Sequence, residues 1–375
     1  MQQNGKIRVL QTIRQGKIGG GETHVLDLVT TLDRTKYDPV VLSFTDGPMI
    51  TALQRLGIPV HVIASEKAFD ISVWKKVKEF IRDEHIDLIH MHGTRASTNI
   101  LWPASRLRLP VIYTIHGWSF HEGLHPLMKR ARIAAEKFIT RRTKANICVS
   151  ESNRQTGINA FSEFDAVVIR NGVNLCKFDR SKEFENVRKS YDISESQVVI
   201  GYLARMTLQK APLNMIRAFA MAAKEAPELM LLMIGDGELK EEAIRLAKEL
   251  GVEDRIVFDK FRQDVPVVLQ SVDIYCLPSL WEGFPIGVLE AMAMGKAVVA
   301  SDVDGTREAV KNEENGVLVT ANDIAALAGT LLRLAKDPFL RQQLGNNAHE
   351  AIKANYSVDK MTRQIEDVYQ KVQTT

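Results

Sequence analysis

Short runs of β-branched and aliphatic residues alternate with amphipathic stretches through the first half of the chain. The runs fall at 6–13, 39–44, 59–64, 87–92, 110–116, 146–150 and 166–170, and stretches such as 22–32 and 72–83 lie between them. Strands of this length separated by helix-length spacers predict parallel β-α-β units with helices on both faces of a sheet. The rhythm restarts at 198–204, 229–235, 256–261, 274–278, 297–301 and 316–320. A charged, strand-poor stretch at 176–197 separates the two series, so the pattern predicts an α/β protein of two tandem doubly wound, Rossmann-like domains. The boundaries are placed at 1–175 and 176–356, with a final helix over 357–375. That helix carries Val358, Met361, Ile365, Val368, Tyr369 and Val372 at helical spacing. The stripe is long enough to pack back on the first domain.

Composition narrows the classes. Across 375 residues, 45% are hydrophobic and 25% charged, which excludes a disordered or low-complexity chain. No apolar run approaches the ~20 residues of a spanning helix. The polar stretch 1–5 leads straight into a strand, so no secretory leader is expected. Three cysteines, Cys148, Cys176 and Cys276, are too scattered for a disulfide framework or a zinc motif. A soluble, cytoplasmic protein is expected.

Charge is unevenly divided. Residues 1–175 hold 24 basic against 16 acidic side chains, a net of +8, and the remainder is acidic by −5. Residues 101–150 carry nine basic side chains and two acidic ones. The imbalance suggests a negatively charged partner for the first half: phosphate, nucleic acid or an anionic membrane surface. Within 126–144, Leu127, Ala131, Ala134 and Phe138 share a helix face among Lys129, Arg130, Arg132, Lys137, Arg141, Arg142 and Lys144. Two readings stay open: a stripe packed on the sheet with solvated charges, or a surface drawn to anionic lipid or a phosphorylated acceptor.

Ligands of open α/β sheets sit beyond the carboxyl ends of the strands, and four constellations lie there. The run Gly19-Gly20-Gly21-Glu22-Thr23-His24 follows the first strand and precedes a helix, where backbone N–H groups suit an anion. It is not a dinucleotide fingerprint, and read alone it is also an ordinary turn. His90, His92 and His116 stand at strand ends, with Gly117 leaving room beside His116. No carboxylate or cysteine accompanies them at ligand spacing, so no metal is expected. Arg205 ends a strand and Lys210 opens the next helix, a pair suited to a diphosphate although equally a solvated basic pair. Finally, Glu282 and Glu290 flank the loop Gly283-Phe284-Pro285-Ile286-Gly287. Carboxylates accept from paired sugar hydroxyls while a helix start holds phosphates. Lys296 is followed by Ala297, which excludes a Walker A motif.

The Glu282…Glu290 string, with Arg205 and Lys210 before it and Asp302-x-x-Gly305-x-x-Glu308 after it, resembles family 4 of the retaining glycosyltransferases. The resemblance extends to Gly19–Gly21, His116-Gly117, the segment 170–174 and Asn315-Gly316, covering nearly the whole chain. It implies the GT-B architecture, two such domains facing a cleft, with an N-terminal acceptor domain and a C-terminal nucleotide-sugar domain. It implies that Arg205 and Lys210 neutralise the donor diphosphate and that Glu290 binds the ribose hydroxyls. Glu282 and the backbone of Gly283, Phe284 and Ile286 would hold the sugar, with Val288 and Leu289 also in the donor site. His116 would orient the sugar or stabilise charge at its anomeric carbon, and Gly19 and Gly20 would approach the β-phosphate. No metal or other cofactor is implied. Two departures stand out: Asn174 where the family usually has aspartate, and Ala211 where it usually has glycine after the lysine.

The function so implied is retaining transfer of a hexose from a nucleotide-diphosphate sugar, UDP-linked in preference to GDP-mannose. The acceptor would be a glycan, glycolipid or small-molecule hydroxyl in polysaccharide or lipopolysaccharide assembly. The enzyme could lie peripherally on the inner face of the cytoplasmic membrane, and nucleic acid is not expected as a partner. Competing readings are an epimerase or phosphorylase of the same architecture, or a non-catalytic nucleotide- or glycan-binding protein. The intact set of His116, Arg205, Lys210, Glu282 and Glu290 argues against the last.

Overall fold

In a computed structural model, residues 5–16, 19–121 and 123–374 are described, so residues 1–4 of the polar start lie outside the described residues. The chain divides into two compact units. The first comprises Met1–Gly172 with Val358–Thr375, and the second Val173–Ser357. The break thus falls at Gly172, three residues before the expected 175, and again at Ser357.

In the first unit, β1 (Ile7–Ile13), β2 (Tyr37–Ser43), β3 (Val60–Val62), β4 (Leu88–His92), β5 (Val111–Ile115), β6 (Ala145–Cys148) and β7 (Val167–Val168) form one sheet. Its order is β3-β2-β1-β4-β5-β6-β7 and every pairing is parallel. The order reverses between β1 and β4, so their carboxyl ends mark the switch point at which open sheets bind ligands.

One sheet face buries Leu10, Ile89, Met91 and Tyr113 against Val77, Ile81 and Ile100 of the helices Ile71–Asp83 and Thr94–Leu107. The opposite face buries Val9, Leu88, Ile112 and Ile147 against the C-terminal helix Val358–Thr374. All six residues of the predicted stripe, Val358 through Val372, lie in that core. Burying such aliphatic side chains contributes about 1.5–3 kcal/mol each, which is why a helix distant in sequence stays fixed to the first sheet.

The second unit contains β8 (Val198–Leu203), β9 (Leu229–Ile234), β10 (Ile256–Asp259), β11 (Ile274–Leu277), β12 (Ala297–Ser301) and β13 (Val317–Val319). Their order is β10-β9-β8-β11-β12-β13, again all parallel, with the reversal between β8 and β11. β9 is buried at every position, as a central parallel strand covered on both faces requires.

The helix Pro126–Thr140 departs from the packed reading of its apolar stripe. Leu127, Ala131, Ala134 and Phe138 are all exposed, Leu127 by 69%. The helix buries Glu136, Ile139 and Thr140 instead. The reason is local: the Glu136 carboxylate accepts from Thr94 Oγ1 (2.6 Å), Tyr113 Oη (3.0 Å) and the Ser119 amide (3.3 Å). Those bonds turn the Glu136 face inward.

Candidate active site

The expected residues fall into two groups, one within each unit. In the first unit the helix Gly20–Thr31 begins directly beyond β1, with Gly19 as an extended N-cap and no side chain capping it. A Cβ on Gly21 would lie 3.6 Å from His116 Cδ2, so the glycine-rich start and the β5 end adjoin. A Cβ on Gly20 or Gly117 would meet open space. His116 is partly exposed, whereas His24, His90 and His92 are buried.

The four imidazoles form one cluster. His92 Nδ1 lies 3.0 Å from His116 Nε2, and the His24 and His116 rings meet edge-on at 4.7 Å. His24 Nδ1 lies 3.0 Å from Asn171 Oδ1, while its Nε2 is buried with no hydrogen-bond partner. Burial lowers the His24 pKa from 6.5 to about 4, and burial followed by neighbouring imidazoles holds His90, His92 and His116 well below the ordinary value. At neutral pH the cluster is uncharged.

Nitrogens of His24, His92 and His116 come within 4.8 Å of one another, a trio in which His24 takes the place of His90 in the sequence reading. Both His92 nitrogens are nevertheless engaged, Nδ1 with His116 and Nε2 with Gln11 Oε1 (2.8 Å). A metal could take His92 only by breaking one of these bonds.

In the second unit, Arg205, Lys210, Glu282 and Glu290 gather at the carboxyl end of the sheet. Lys210 lies in the turn after β8 and is ion-paired with Glu282, which follows β11. Glu282 is 6% exposed and Lys210 18%, while Arg205 is exposed. The buried Tyr202 hydroxyl donates toward the carbonyls of Arg205 (3.3 Å) and Lys210 (3.2 Å), tying both ends of the cationic turn. Burial pushes the Tyr275 phenol well up, and the nearby carboxylates of Glu290 and Glu282 add to it.

The glutamate loop is built tightly. The Glu282 amide donates to Asp304 Oδ2 (3.2 Å), and a Cβ on Gly305 would stand 1.8 Å from the Gly283 carbonyl oxygen. That close approach requires glycine at position 305. Phe284 is buried against Tyr356, their rings 5.4 Å apart. The helix Ile286–Ala293 starts without a side-chain cap. Val288 and Leu289 are buried and their amides donate to the Pro285 carbonyl at 3.1 and 3.3 Å. Glu290 is half-buried.

The structure explains one departure from the family pattern and locates the strain of the other. Asn174 Oδ1 accepts from the amides of Cys176 (3.1 Å) and Lys177 (3.0 Å), a turn that needs only the oxygen an aspartate would supply. Ala211 adopts φ 47°, ψ 53°, the left-handed region that glycine enters without steric cost.

Residues 183–351 match the model of the family described as glycosyl transferases group 1, and residues 18–177 that of glycosyltransferase family 4. An Escherichia coli UDP-Gal:alpha-D-GlcNAc-diphosphoundecaprenol alpha-1,3-galactosyltransferase is 30% identical over 98% of this chain and 97% of its own. The chain belongs to the group 1 glycosyl transferases. Other relatives of this glycosyltransferase include the phosphatidyl-myo-inositol mannosyltransferase of Mycobacterium leprae, 27% identical over 95% of the chain and 94% of the relative. The crystal structure of Anabaena HepE in complex with UDP-glucose superposes with a TM-score of 0.85 at 25% identity, covering 97% of this chain and 100% of that one. The fold is therefore GT-B, and the protein is a transferase.

Sequence reasoning singled out His116, both glutamates and Lys210 but missed that Gln11, Asn171 and Tyr369 bond the histidine cluster. Gln11 lies between Leu10 and Thr12 in a central parallel strand, and a long polar side chain buried there is the signal that it has a hydrogen-bonding task. Asn171 and Tyr369 gave no such signal, since one sat in a linker motif and the other in an apolar stripe.

Proposed function

We propose that this glycosyltransferase is a retaining, metal-independent hexosyltransferase that uses a UDP-sugar and acts on a lipid-linked or glycan hydroxyl. The carrying observation is the Lys210–Glu282 pair beside exposed Arg205 at one sheet edge. Lys210, held by Glu282, together with Arg205 supplies the charge that would otherwise come from magnesium as negative charge grows on the leaving diphosphate. Glu290 accepts from the ribose hydroxyls, Glu282 and the backbone of Gly283, Phe284 and Ile286 take the sugar hydroxyls, and His116 orients the sugar. The bond from the anomeric carbon to the phosphate oxygen breaks as the acceptor oxygen attacks from the same face. The acceptor proton passes to the departing phosphate. UDP in the donor is supported by the UDP-Gal transferase among the relatives and by the UDP-glucose complex of HepE.

The acceptor reading rests on the exposed apolar stripe of Pro126–Thr140. Leu127, Met128 and Phe138 are joined by exposed Phe69, whose ring centroid lies 6.4 Å from that of Phe138, amid the basic side chains of this segment. Apolar side chains ringed by cations suit an anionic bilayer, and no helix among the described residues is long and apolar enough to cross one. The protein would then act at the inner face of the cytoplasmic membrane.

The test is incubation with a panel of UDP- and GDP-sugars, scoring slow donor hydrolysis and then transfer to lipid-diphosphate acceptors. Preferred turnover of a UDP-hexose with an α-configured product by proton NMR supports the reading. An inverted product, or turnover of GDP-mannose alone, overturns it.

A further inference from the structure

The histidine cluster of the first unit continues into a buried chain of hydrogen bonds that ends on the C-terminal helix. Gln11 Nε2 donates to Tyr369 Oη at 2.8 Å. Tyr369 Oη lies 2.7 Å from His90 Nδ1, and His90 Nε2 lies 2.7 Å from Thr114 Oγ1. On its other side, Gln11 Oε1 meets His92 Nε2 at 2.8 Å, and His92 Nδ1 meets His116 Nε2 at 3.0 Å. Gln11, His90, His92 and Thr114 are buried, and the Tyr369 ring is fully enclosed.

The Gln11 amide, with Nε2 toward Tyr369 and Oε1 toward His92, sets the direction of donation along this chain. The Gln11 amide nitrogen only donates, and it points at Tyr369, leaving the tyrosine hydroxyl hydrogen for His90 Nδ1. The Gln11 oxygen only accepts, so His92 Nε2 carries a hydrogen. A neutral imidazole has one N–H, so His92 Nδ1 is the acceptor and His116 Nε2 must donate to it. His116 is then left with a bare Nδ1. The packed imidazoles oppose a second hydrogen on any ring, because a cation there would be desolvated beside three others.

We propose that Tyr369, acting through Gln11 and His92, is a positioning residue that locks His116 as its Nε2–H tautomer and leaves Nδ1 as a hydrogen-bond acceptor. The role of His116 toward a donor sugar rests on the function proposed above; its tautomer does not. Nδ1 accepts from a sugar hydroxyl and cannot donate to one, so the C-terminal helix sets the polarity of a contact made at the end of β5. The device explains why a tyrosine stands in the apolar stripe of that helix, where phenylalanine would pack equally well.

Histidine-15N-labelled protein tests this directly. Two-bond nitrogen–proton spectra, with the His116 signals assigned by their loss in His116→Gln, should show Nε2 protonated and Nδ1 bare. Tyr369→Phe frees the Gln11 amide to turn over and should give a mixture of both His116 tautomers. Its hydrolysis of UDP-glucose should fall by about tenfold in kcat with the donor KM within about twofold. His92→Gln offers one donor and one acceptor in the same directions and should keep the Nε2–H signature, whereas His92→Leu should lose it. A native Nδ1–H tautomer, or an unchanged tautomer in Tyr369→Phe, overturns the inference whatever the activity. Full turnover by His116→Gln would instead overturn the assignment of His116 to the donor.

Discussion

Lys210 and Glu282 are ion-paired although 72 residues separate them. They meet because β8 and β11, which deliver them, are neighbours at the point where the sheet order reverses. A carboxylate only 6% exposed needs its cation, and the cation is thereby held where a diphosphate would arrive. On the proposed function, an incoming donor shares Lys210 with Glu282 instead of recruiting a mobile lysine.

Removing Lys210 should therefore act twice. Lys210→Ala should lower kcat/KM by about 10²–10³-fold. It should also destabilise the protein by about 1–3 kcal/mol, because Glu282 is left buried without its partner. Glu290→Ala, at a half-buried site, should raise the donor KM by about 10–100-fold with an unchanged melting temperature. Steady-state kinetics and thermal melts check both, and near-normal activity of either at limiting donor contradicts the assigned roles.

On the proposed function, in which Arg205 and Lys210 would carry the charge neutralisation, exhaustive treatment with EDTA should leave transfer unchanged. Loss of activity restored by a divalent ion would show that the two cations are insufficient.

Acid should weaken the first unit in a defined window. His24 in the folded protein binds its proton only near pH 4, whereas the unfolded chain binds it near 6.5. Between those values the unfolded state holds more protons, so stability is fully present above about pH 6.5 and declines as pH falls toward 4. The cost of this one residue is about 3 kcal/mol across the window, and the lowered values of His90, His92 and His116 act in the same direction. Denaturant unfolding at a series of pH values should show the slope, and His24→Gln should flatten it.

Ala211→Gly should stabilise the protein by about 0.5–1 kcal/mol, because Ala211 is held at φ 47°. Chemical denaturation reads the sign; a loss of about 1 kcal/mol, as at an ordinary helical alanine, would show that this turn carries no strain.

Vesicles containing phosphatidylglycerol should float the protein at low salt and release it at high salt. Leu127→Glu, placed on the most exposed apolar residue of its helix, should reduce the bound fraction without lowering the melting temperature. Retention in the soluble fraction at low salt would mean that the stripe meets something other than anionic lipid.

Much of this protein was determined by local sequence. Each strand run gave a strand, because five to eight apolar or β-branched residues between helix-length spacers have few other ways to be buried. The glutamate loop and its cations were legible for the same reason: Glu282, Glu290, Arg205 and Lys210 follow strands, and strand ends are where a parallel sheet binds. Only the tertiary structure decided the rest. Leu127 and Phe138 have the spacing of a buried stripe, yet Glu136 takes the inward position because Thr94, Tyr113 and Ser119 supply its hydrogen bonds. Gln11, His24, Asn171 and Tyr369 lie up to 358 residues apart, and a period of 3.6 or 2 carries no information about which of them meet. Helical spacing placed Tyr369 in a stripe. Where its hydroxyl ended was set by the packing of that helix on the first sheet.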